Sequence, residues 1–119
     1  MPHVQIQSKQ DQIFACDLNA IAAEERQTHS ANVKIVFQRV QETRELENGY
    51  AIRLPNESNV VRVVAEFIAR ERLCCPFFGF AMEIEPNGGP LWLRLTGSEG
   101  AKEFMLAEFD GLSNKNILT

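Results

Sequence analysis

Cys74 and Cys75 are adjacent, and the run Glu71-Arg72-Leu73-Cys74-Cys75-Pro76-Phe77-Phe78 sets them where an amphipathic segment meets a proline. Neighbouring thiols can bind a thiophilic metal, exchange with disulfides, or fill apolar space. The chain has three cysteines, the third being Cys16, so most of its soft-donor capacity lies at this one point. Glu71 stands three residues before Cys74 and four before Cys75, which on a helix gives its carboxylate a shared neighbourhood with both thiols. Cys74 continues an apolar stripe and should point at the core. Cys75 should be turned away by roughly 100°.

The polarity of that position separates two kinds of chemistry. A helix C-terminus carries negative partial charge, which disfavours a thiolate and argues against an activated nucleophile. A bound cation reverses the argument, because coordination deprotonates a thiol outright. Cys16 and His29 are the natural residues to complete a ligand set. Three sulfurs and one imidazole suit tetrahedral zinc, and thiolate-rich sites also favour other soft metals such as mercury or arsenic. The expected metal ligands are therefore Cys16, His29, Cys74 and Cys75, with Glu71 steering them from outside. Each has a plainer reading: Cys16 as core filler in an apolar strand, His29 as a satisfied structural histidine, Glu71 and Arg72 as an ordinary helix-end hydrogen-bonding set. Phe77, Phe78 and Phe80 read most simply as core.

The elements that must position these residues follow from periodicity. Ile13-Phe14-Ala15-Cys16 reads as a short strand, with Asp17 or Asn19 able to cap a helix from Ala20 to about Gln38. On that helix His29, Val33, Val36 and Val40 recur at helical spacing. Arg44–Glu47 leads into Asn48-Gly49, the pair that best tolerates a type I′ turn, and Tyr50-Ala51-Ile52-Arg53-Leu54 returns. A second helix spans about 59–74, with Val60, Val63, Val64, Phe67, Ile68 and Cys74 on its apolar side and Pro76 ending it. Strands 78–85 and 91–95 flank a Pro86-Asn87-Gly88-Gly89-Pro90 turn. A last helix opens at Gly97-Ser98, carries Ala101, Phe104, Met105 and Phe109, and stops at Gly111.

The order strand, helix, hairpin, helix, hairpin, helix predicts an α+β domain with an antiparallel sheet of about five strands and three helices on one face. Residues 1–119 form a single domain in this reading, with 1–10 and 113–119 as loose arms. The units 20–54 and 59–95 share a helix–hairpin plan.

Composition excludes several classes. The chain has 119 residues, 45% of them apolar, enough for a core without staples and too apolar for wholesale disorder. A formal charge of −4 argues against nucleic-acid or anionic-membrane binding through bulk electrostatics. No apolar run is long enough to cross a bilayer, and Met1–Ser8 lacks the marks of a signal peptide, so the expected setting is cytoplasmic and reducing. There is no phosphate loop, nucleophile elbow, H-E-x-x-H helix or C-x-x-C pair, and no organic cofactor is indicated.

The string Glu71-Arg72-Leu73-Cys74-Cys75-Pro76-Phe77 resembles the hallmark of a small uncharacterised bacterial protein family. The resemblance extends over Phe14-Ala15-Cys16-Asp17-Leu18, the Glu25-Arg26 and His29 segment, Gly49-Tyr50 and Leu93-Arg94-Leu95-Thr96-Gly97, with Ala22-Ala23 where that family has a proline–acid pair. It implies that Cys16, His29, Cys74 and Cys75 belong to one recurring pattern, and it implies no activity.

The expectation that results is a metal-binding protein, leaning away from an enzyme, with zinc as the default ion. Two alternatives stand beside it. One is a thiol redox or transfer enzyme with Cys75 as the exposed attacking thiol and Cys74 or Cys16 resolving. The other is an interaction module whose sulfurs only pack and whose edge strands could pair two copies into a homodimer.

Overall fold

The computed structural model describes the backbone of Ile6–Gln7, of residues 13–112 and of Ile117–Leu118, and the side chains of residues 15–112. In chain order the elements are β1 (Ile6–Gln7), β2 (Ile13–Phe14), α1 (Arg26–Gln38), β3 (Glu42–Leu46), β4 (Gly49–Leu54), α2 (Ser58–Cys74), β5 (Gly79–Ile84), β6 (Leu91–Thr96), α3 (Ala101–Glu108) and β7 (Ile117–Leu118). The fold is α+β, with three α-helices among the described residues.

The main sheet runs β5-β6-β4-β3-β7. Its four long strands are antiparallel, and β7 adds only a two-residue parallel pairing on β3. The expected fifth antiparallel strand is therefore corrected. Ile13–Phe14 pairs with Ile6–Gln7 in a separate two-residue ladder. The stretch that follows it is drawn to the end of α2, as described below, and cannot also lie along the sheet. The arms expected at 1–10 and 113–119 contain the paired residues of β1 and β7; their other positions lie outside the described residues.

The sheet is symmetric about the β4–β6 pairing: one hairpin, β3–β4, lies on one side and the other, β5–β6, on the opposite side. Tyr50, Ile52 and Leu54 alternate with Ala51 and Arg53, and opposite them stand Leu95, Leu93 and Leu91. These six side chains are buried on one sheet face. The helices pack there, contributing Val36 and Phe37 from α1, Val60, Val64 and Phe67 from α2, and Phe104 and Met105 from α3. Phe67 is central, with edge-on contacts to Phe37, Phe80 and Phe109. On the other face Arg44 lies over the Trp92 ring at 4.5 Å.

The type I′ turn expected of Asn48-Gly49 is found instead at Asn87-Gly88. Asn87 and Gly88 take positive φ values of 60° and 73°, and the Gly89 N–H donates to the Pro86 carbonyl at 3.1 Å. That is the type I′ geometry. The first hairpin instead turns on Glu47-Asn48, with Gly49 already in β4 and paired to Leu46. Glycine is required there because a Cβ would collide with the Leu95 carbonyl of β6.

Among the described residues no helix is long and apolar enough to cross a membrane.

Candidate metal centre

Helix α2 buries Val60, Val64, Phe67, Glu71 and Cys74, a spacing of four, three, four and three. Glu71 thus occupies a core position of the stripe, one turn before the thiols. Cys75 caps the helix, its N–H donating to the Glu71 carbonyl at 2.7 Å. Pro76 lacks an amide hydrogen and cannot extend the helix.

Cys16 reaches this end from the other direction. The Asp17 N–H donates to the Cys74 carbonyl at 2.9 Å, satisfying one of the helix's terminal acceptors. Asp17 also accepts the Asn19 amide at 3.0 Å and opens a 3₁₀ turn, Leu18–Ala20. Ile21 then extends into the core, a second 3₁₀ turn follows at Ala23–Glu25, and the α-helix begins only at Arg26. The helix expected from Ala20 is delayed because Ile21 must be buried while Cys16 stays at α2. Arg26 Nε donates to the carbonyls of Leu18 and Ile21, both at 3.0 Å, and fastens this strap to α1.

Within that frame Cys16 and Cys75 form a disulfide, with their Cα atoms 4.7 Å apart, and Cys74 is free. The Cys74 and Cys75 sulfurs are 3.8 Å apart. All three sulfurs lie within 4.8 Å of one another. A second overlapping group, on the same limit, joins Cys16 and Cys75 to carboxylate oxygens of Glu71 and Glu108.

His29 stands behind this cluster. Its Nε2 is 2.7 Å from Glu71 Oε1, both side chains being 3% exposed, and its ring stacks on Phe67. Glu71 Oε2 touches Cys75 Sγ at 3.2 Å. In the disulfide that sulfur has no proton to donate; as a thiol it would be a donor. The carboxylate therefore spans imidazole and sulfur. His29 joins neither ligand group, because Glu71 stands between its ring and the cysteines. His29 Nδ1 is buried without a hydrogen-bond partner.

Cys75 is fully buried and Cys16 is half-buried, so the expectation of Cys75 as an exposed attacking thiol is overturned. The covering strap, absent from any helical-wheel reading, is the reason. Burial pushes the Cys74 thiol up to about 12, and the negative charges of Glu71 and Glu108 add to that. The carboxyl of Glu108 is raised too, by desolvation and then by Glu71. A cleft of about 250 Å³ beside these groups is lined by Arg26, His29, Lys34, Glu71, Cys74 and Glu108 among others.

No family model, curated protein or solved structure matches this chain.

Glu108 and Arg26 were not among the expected site residues. Glu108 left a trace in the sequence: it continues the Ala101, Phe104, Met105 spacing of α3, so an acid falls on the apolar stripe. Arg26 left none, since its partners are backbone carbonyls eight and five residues earlier.

Proposed function

We propose that the reduced protein binds a thiophilic metal ion, zinc by default, through Cys16, Cys74 and Cys75. The observation that carries this reading is the convergence of three sulfurs from two distant stretches of chain within 4.8 Å. Tetrahedral zinc with Zn–S bonds near 2.3 Å needs sulfurs about 3.8 Å apart. The Cys74–Cys75 separation already meets that. A carboxylate oxygen of Glu71 or Glu108, both grouped with Cys16 and Cys75, would supply the fourth donor, in place of the imidazole expected from the sequence. His29 then acts through Glu71, fixing its orientation.

Electrostatics favours the same reading. Two carboxylates and a helix C-terminus surround the sulfurs, an arrangement that penalises a free thiolate and rewards a cation. Metal content of protein isolated under reducing conditions tests the proposal. Stoichiometric zinc or another soft metal is expected, with the Cys74→Ser/Cys75→Ser variant losing it. A wild type that holds zinc no better than that variant would end the proposal.

Thiol–disulfide exchange is the second reading, favoured by the bonded Cys16–Cys75 pair with a third sulfur 3.8 Å from Cys75. Against it stands Cys74, whose thiol keeps its proton until pH is about 12 and so makes a poor attacking group at neutral pH.

A further inference from the structure

Resting on the cation-binding reading, we infer that the Cys16–Cys75 disulfide is a lock on the metal centre, so that the bonded pair and the bound ion are mutually exclusive. An organic disulfide then acts as the signal that releases the ion.

The disulfide consumes two of the three converging sulfurs. A sulfur bonded to sulfur is uncharged and a weak donor, so the oxidised site offers a soft cation only Cys74 and oxygen ligands. Reduction restores all three without scattering them. The Asp17 amide remains on the Cys74 carbonyl, and Arg26 still ties Leu18 and Ile21 to α1. Ile21, buried in the core, anchors the same strap. None of these contacts involves the disulfide, so the ligands stay gathered when it opens.

Accessibility sets the order of steps. Cys16 is half-buried, whereas Cys74 and Cys75 are buried. The Cys16 thiolate attacks one sulfur of an organic disulfide RSSR, forming a mixed disulfide and expelling RS⁻. The Cys75 thiolate then attacks the Cys16 sulfur, closing the Cys16–Cys75 bond and expelling the second RS⁻. Two electrons pass from the two cysteines to RSSR, which leaves as two thiolates that take up protons from water. The ion, deprived of two ligands, departs, and Cys74 regains its proton.

The test is a titration of the reduced, zinc-loaded protein with 2-hydroxyethyl disulfide. Free zinc is followed with a colorimetric chelator and cysteine pairing by peptide mapping. Zinc release one-for-one with the Cys16–Cys75 bond is expected, and rebinding after dithiothreitol. A Cys74→Ser protein, which retains the locking pair, should form the same bond. Zinc still held once Cys16 and Cys75 are linked, or a bond formed at another pair, overturns the lock and leaves the binding reading standing. A reduced protein that takes up no zinc at the outset overturns both.

Discussion

His29 and Glu71 are 42 positions apart in sequence and share a buried contact of 2.7 Å, Nε2 to Oε1. The other Glu71 oxygen faces Cys75 Sγ at 3.2 Å, so one carboxylate holds the imidazole of α1 against the sulfur at the end of α2. A carboxylate this deep in the core depends on its partners. His29→Ala should therefore destabilise the protein by about 2–3 kcal/mol in urea unfolding. Adding Glu71→Gln should recover part of the loss, since the amide is easier to bury than the charge. Equal and additive losses would show that the two residues do not act as a pair.

The Cys74 thiol provides a pH signature. Burial first, then Glu71 and Glu108, lift it from 9.0 to about 12. In the unfolded chain the thiol ionises near its ordinary value, while the folded protein keeps the proton. Between those values the native state binds more protons than the unfolded state, so stability falls as pH rises. The contribution is complete below about pH 9 and lost as pH climbs through 12. Denaturation midpoints across this alkaline range should decline more steeply for wild type than for Cys74→Ala. Parallel declines would contradict the assignment.

Glu108 continues the apolar stripe of α3, and its charge acts on the Cys74 thiol. Glu108→Gln should weaken zinc binding by about 10-fold, the scale of a neighbour that orients or supplements ligands. The same change should leave folding intact, because it removes a charge that desolvation and Glu71 already penalise in the folded protein. Competition with a chelator of known affinity measures the first effect and circular dichroism the second. Unchanged affinity would place Glu108 outside the centre.

The sheet register makes its own prediction. Gly49 sits where a Cβ would strike the Leu95 carbonyl, so Gly49→Ala must push β4 from β6. A loss of about 1–3 kcal/mol is expected, as for other overpacked sites. Gly88→Ala meets no atom within 4 Å but must hold a φ of 73°, so its loss should be smaller. The reverse order, in thermal or urea melts, would contradict the register.

What could be read in the sequence follows the reach of local rules. Periodicity along α2 placed Cys74 on the core side and Glu71 within one turn of both thiols. Pro76 marked the end of the helix. The apolar spacing of α1 put His29 on its inner side. Longer-range facts were less accessible. Asn48-Gly49 and Asn87-Gly88 carry the same turn signal, and only the approach of β6 decides that Gly49 serves packing instead. The burial of Cys75 depends on the 3₁₀ turns after Asp17, which bring the Cys16 strap over the helix end. His29 was expected to ligate beside the sulfurs, but the acid between them could not be located until α1 and α2 were packed together.

X-ray absorption at the zinc edge of the reduced, zinc-loaded protein tests the central claim most directly. The account predicts three sulfur neighbours near 2.3 Å and one lighter ligand at about 2.0–2.2 Å. Replacing Cys16 with serine should remove one of the three sulfurs. A shell of nitrogen and oxygen alone, or a sulfur count unchanged by that replacement, would contradict it.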